Sequence, residues 1–80
     1  MYKKARVTIK RRNSLFNNFY DSWIEMYNGK KFTKPNRSFT EEDKETMIKK
    51  TEEYFRNMMA AGKLAYDENL TNCEFVFEGK

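Results

Sequence analysis

Eighty residues with 39% hydrophobic and 16% aromatic content describe a chain that folds, yet one too short to enclose a sizeable interior cleft. The net charge of +4 conceals a split: residues 1–37 carry ten Lys/Arg against Asp21 and Glu25, a net of +8, whereas residues 38–80 carry six against ten acids. Histidine is absent and Cys73 is the single cysteine, which excludes the commonest general base, an internal disulfide and a paired-thiolate metal site.

Residues 3–11 alternate, with Ala5, Val7 and Ile9 on one side and Lys4, Arg6, Thr8 and Lys10 on the other. A period of two with β-branched residues at its centre predicts a half-buried strand. Asn13-Ser14 offers a helix N-cap. From there Leu15, Phe16, Phe19, Tyr20, Trp23, Ile24, Met26 and Tyr27 fall in one half of a helical wheel, and the intervening polar residues fill the other. The pattern predicts an amphipathic helix closed by Asn28-Gly29 as its left-handed stop.

Residues 30–39 contain the only proline and read as a surface loop. Thr40, followed by Glu41, Glu42 and Asp43, predicts the start of a second helix, because acids in a first turn satisfy free N–H groups and complement the dipole. Met47, Ile48, Thr51, Tyr54, Phe55, Met58, Met59 and Ala61 share one side of that helix, and Gly62 ends it after roughly 21 residues, about 32 Å. The tail predicts a hairpin: a short strand over 63–66, a turn at Asp67-Glu68-Asn69, and a strand over 70–78. In that last strand Cys73, Phe75 and Phe77 share a face opposite Glu74, Val76 and Glu78.

The expected architecture is therefore α+β. A single domain spanning 1–80 runs in the order β-α-α-β-β, its two amphipathic helices packed on one face of a small, mainly antiparallel sheet.

The residue inventory argues against catalysis. The three serines sit at caps or on polar helix positions with no base beside them. Adjacent acids such as Glu41/Glu42/Asp43 or Glu52/Glu53 point about 100° apart on a helix and serve as caps or solvated faces rather than acid–base pairs. No glycine-rich loop precedes a helix, so no phosphate cradle is offered. Cys73 alternates in phase with Phe75 and Phe77 and reads as a small core residue. No enzyme activity and no cofactor are expected.

Binding is the remaining class. Lys30, Lys31, Phe32, Lys34 and Arg37 form a basic loop, and Arg11-Arg12 a second basic point with no acid evidently opposite it. Both flank the predicted first helix, so they stand about 22 Å apart as two patches. The loop is the first place to look for a partner. Tyr20, Ile24 and Tyr27, at the edge of the aromatic arc, offer a further protein contact, either to a partner or across a homodimer.

The lead reading is a small inhibitor or accessory protein that occupies an acidic or nucleic-acid-receiving surface of a larger protein or nucleoprotein machine. The alternative is a nucleic-acid-binding protein using Tyr2, Lys4, Arg6 and Lys10 on the first strand together with the 30–37 loop. A competing explanation of the strand cations is internal. If the last strand pairs with the first, Glu74 and Glu78 share a face with Lys4, Arg6 and Lys10. From the lone cysteine, the absence of an apolar run near the N-terminus and the absence of eighteen consecutive apolar residues, a cytoplasmic protein is expected. Its lean toward Lys, Asn, Phe and Tyr fits A/T-rich coding sequence, as in a phage acting in a host cell.

Overall fold

The structure, a computed structural model, describes residues 1–13, 18–33 and 37–79, with Arg37 described for its backbone alone. Four strands and one helix follow one another as β1 (Lys4–Asn13), β2 (Asn18–Tyr27), β3 (Arg37–Glu41), α1 (Lys44–Ala60) and β4 (Cys73–Glu78). They form one mixed sheet in the order β3-β2-β1-β4. β1 and β2 are antiparallel over ten rungs from Lys4↔Tyr27 to Asn13↔Asn18. β3 runs antiparallel to β2, and β4 runs parallel to β1. A parallel neighbour requires a crossover, and α1 supplies it by carrying the chain from one edge of the sheet to the other.

This topology corrects the expected β-α-α-β-β order. The stretch read as an aromatic helix is β2 in its described part, residues 18–27; Ser14, Leu15, Phe16 and Asn17 lie outside the described residues. Its apolar side chains are divided between two faces. Tyr20, Ile24 and Met26 turn with Ser22 toward α1, while Phe19, Trp23 and Tyr27 occupy the opposite face with Asp21 and Glu25. Aromatics on both faces and a serine within the core erase the period of two, and the residue then fits a helical wheel by default. Phe, Tyr, Trp and Ile are also strand formers, so local preference and ten rungs of pairing with β1 act together.

Two further boundaries move for physical reasons. Thr40 is a strand residue paired with Asp21, and the helix N-cap is Asp43, whose carboxylate accepts the Thr46 N–H at 3.1 Å. The helix is thus 17 residues long rather than about 21. The tail is not a hairpin. Leu64 pairs as an isolated parallel bridge with Tyr2, the chain turns at Asp67, and β4 continues along the same edge of β1 from Ala5↔Cys73. Cys73, Phe75 and Phe77 share the helix side as expected, but their strand partner is β1.

One side of the sheet carries the core. Val7, Ile24 and Met26 meet Met47 and Phe55 of α1, all fully buried. Phe55 stands edge-on to Phe75 with ring centroids 5.9 Å apart, and Thr51 satisfies its buried hydroxyl by donating to the Met47 carbonyl at 2.8 Å. Ile24, expected at an exposed edge, is 0% accessible, so it anchors no contact; a dimer through an aromatic helix is excluded with the helix itself.

Ser22 is the exception in this layer. Its hydroxyl is buried between Ile9 and Phe39 on neighbouring strands and has no hydrogen-bond partner among the described residues. An unsatisfied buried hydroxyl costs about 1–3 kcal/mol. Ser22→Ala is therefore expected to raise the urea midpoint, by a stability gain of about 1 kcal/mol.

Candidate binding surfaces

The face of the sheet opposite α1 is an ordered ladder of cations against acids and rings. β1 presents Lys4, Arg6, Thr8, Lys10 and Arg12, and the rungs set them against Tyr27, Glu25, Trp23, Asp21 and Phe19 of β2. The Arg6 guanidinium donates to Glu25 Oε1 at 3.0 and 3.3 Å and lies 3.9 Å from the centre of the Phe32 ring. Lys4 Nζ sits 5.5 Å from the Tyr27 ring. Arg12 lies 5.3 Å from the Phe19 ring and pairs with Asp21 at 3.0 Å; the Thr40 hydroxyl also donates to that carboxylate. On the far side of β1, Glu74 and Glu78 stand opposite Arg6 and Lys10. Ion pairs therefore compensate Arg6 and Arg12 of β1, and Glu74 and Glu78 stand beside Arg6 and Lys10 without forming an ion pair among the described residues.

Arg11 and Arg12 stand on opposite faces of the sheet. Neighbouring strand residues point to opposite faces. Arg12 lies on the open ladder, with an acid that only a strand at β2 brings across. Arg11 lines a small hollow on the helix side with Tyr20, Lys44 and Phe77, where Lys44 Nζ rests 4.5 Å from the Phe77 ring. Gly79 approaches this point so closely that a Cβ would lie 3.2 Å from the Arg11 carbonyl oxygen, at a positive φ of 86°. Tyr2 leaves the ladder too: a bend at Lys3 breaks the alternation, and the ring packs on the core.

The other end of the sheet gathers unpaired lysines. Asn28-Gly29-Lys30-Lys31 is a tight turn rather than a helix stop: Asn28 Oδ1 accepts the N–H groups of Lys30 and Lys31 at 3.0 and 3.2 Å, and Gly29 takes a φ of 102°. Tyr27 and Phe32 close the turn as a bridge with rings 5.3 Å apart. Lys31 and Lys30 are thus fixed beside the start of β1, where Lys3 N–H donates to the Tyr27 carbonyl. Lys63 joins from the end of α1, since Tyr2 N–H donates to its carbonyl at 2.8 Å, and Asn28, Gly62 and Lys63 line one shallow cleft with Met1 and Tyr2.

Lys3, Lys4, Lys30, Lys31 and Lys63 are all exposed. Among the described residues none of them makes an ion pair, because the nearest ladder acid, Glu25, is held by Arg6. The rung of Lys4 lies eight residues from that of Arg12, about 27 Å along the strands, so the two ends are separate surfaces. Lys34 and the side chain of Arg37 fall outside the described residues. Lys63 escaped sequence reasoning because only the pairing of 63–65 with the first residues of the chain brings it here.

Cys73 is 8% exposed, and burial pushes its thiol from the ordinary 9.0 up to about 11, with Asp67 adding to the rise. The folded chain holds the proton more tightly than the unfolded one. Stability is therefore unaffected by this group below pH 9 and falls as pH rises from 9 toward 11. Alkylation of the folded protein is expected to stay slow at neutral pH, with a rate still climbing near pH 11.

Among the described residues, no helix is long and apolar enough to cross a membrane. No protein-family model, curated protein or solved structure matches this chain.

Proposed function

We propose that this chain is a non-catalytic binding module that docks its lysine end onto an acidic surface of a larger protein or nucleoprotein assembly, as an inhibitor or accessory factor would. The observation that carries this reading is the convergence of Lys3, Lys4, Lys30, Lys31 and Lys63, exposed and without ion pairs among the described residues. The turn that holds two of them is braced by the Asn28 side chain and the Tyr27–Phe32 bridge. A preorganised cationic edge loses little conformational freedom on binding.

Direct nucleic-acid binding across the sheet face is less well supported. Arg6 and Arg12 are committed to Glu25 and Asp21 and Tyr2 is packed on the core, so of the sheet-face cations only Lys4 and Lys10 lack an ion pair among the described residues. Phosphate contacts need cations free to release counterions. Affinity purification from the native host, coupled to mass spectrometry, tests the proposal. The expected result is one stoichiometric protein partner with an acidic contact surface. Recovery of nucleic acid alone, released steeply by salt, would overturn it in favour of the second reading.

A further inference from the structure

The outer edge of β4 is an open template for another strand. In the ladder with β1, Ala5 N–H donates to the Asn72 carbonyl at 3.0 Å, so the peptide groups of Asn72, Glu74, Val76 and Glu78 face β1. The alternation of a parallel ladder then turns the N–H and C=O of Phe75 and Phe77 away from the sheet. The Cys73 N–H, next in that outward series, is already satisfied by the Leu70 carbonyl at 3.0 Å. Edges are ordinarily blunted by charged side chains, proline or a bulge; β4, Cys-Glu-Phe-Val-Phe-Glu, has no proline or bulge, and its two charges, Glu74 and Glu78, disfavour an acidic neighbour while leaving the edge open to a cationic one.

Side-chain chemistry specifies the occupant. Glu74 and Glu78 are exposed on the open face, and Phe77 is 49% exposed on the other. On its inner side β4 already accepts a strand of matching character: β1 sets Arg6 and Lys10 against the two acids, and Val7 and Ile9 against the two phenylalanines. A second copy of β4 does not meet this requirement. Antiparallel self-pairing centred on Val76 places Glu74 against Glu78 twice, and like charges directly opposite are unfavourable. We infer that β4 receives an extended strand from a partner protein, in which Lys or Arg alternates with β-branched apolar residues, by strand addition to the sheet edge.

The surface is independent of the lysine end and prefers a partner segment of the opposite charge. Amide exchange of the full chain tests it, with a short synthetic peptide alternating Lys and Val as the probe and a Glu/Val peptide as control. The Lys/Val peptide is expected to slow exchange at Phe75 and Phe77 by about tenfold or more at saturation, and the Glu/Val peptide to leave them unchanged. The double variant Glu74→Lys/Glu78→Lys is expected to exchange these preferences. Three results would overturn the inference: no added protection at Phe75 and Phe77, equal protection by both peptides, or protection confined to β3. Protection of these amides without peptide, accompanied by a dimer mass in sedimentation, would overturn it as well by assigning the edge to a second copy.

Discussion

Reversing two charges with Lys30→Glu/Lys31→Glu is expected to weaken partner binding by at least tenfold at physiological salt, and to leave folding stability within about 0.5 kcal/mol. Each lysine 4 Å from an acid contributes about 1 kcal/mol in water, and reversal replaces that attraction by a repulsion of similar size. Two sites then amount to about 4 kcal/mol before screening, of which salt removes a large part. Folding is spared because both side chains are exposed and neither forms an ion pair among the described residues. The turn itself depends on Asn28 and Gly29, which the variant retains. A titration of the purified partner with both proteins, alongside urea unfolding, separates the two effects. The matched reversal Arg11→Glu at the opposite end is expected to change binding far less.

The largest loss of stability is expected from Phe55→Ala, at about 3–5 kcal/mol in urea unfolding. Phe55 is fully buried, stands against Phe75 of β4 and lies beside Tyr54 on α1. It links the helix to the strand that returns parallel to β1, the one connection in the sheet that no hairpin enforces. A chain of this size has roughly 4–12 kcal/mol in total, so the variant is expected to lose a large share of its stability and to unfold at a much lower urea midpoint. Met47→Ala, on the same helix face, removes less volume and is expected to cost about 2–4 kcal/mol.

The legibility of these features in the sequence followed the cleanness of their periodicity. β1 was readable because Ala5, Val7 and Ile9 are buried and their neighbours are mostly charged. α1 was readable from the four-residue spacing of Met47, Thr51, Phe55 and Met59, though Asp43 rather than Thr40 caps it. β2 was not readable, since its open face carries Phe19, Trp23 and Tyr27, with Arg12 over Phe19 and Lys4 over Tyr27, and alternation then vanishes. The signal that identifies it was nonetheless present: Asn28-Gly29 is a turn dipeptide that marks a hairpin as readily as a helix stop. That one choice set the rest. With β2 as a strand, Asp21 reaches Arg12 and Glu25 reaches Arg6, so these two cations of β1 are compensated. The same pairing carries Lys30 and Lys31 to the start of β1, where the surplus of charge is real. The basic loop was visible in the sequence; its union with Lys3, Lys4 and Lys63 required the tertiary fold, because those residues meet only through long-range pairing.

The most direct test of the lysine end is a nitrogen-15 shift map of the protein titrated with polyglutamate at low salt. The expected result is a contiguous set of shifted amides at Lys3, Lys4, Lys30, Lys31 and Lys63, abolished by Lys30→Glu/Lys31→Glu. Shifts centred on Arg11 and Arg12, or spread evenly over every lysine of the chain, would contradict the assignment of this end as the docking surface.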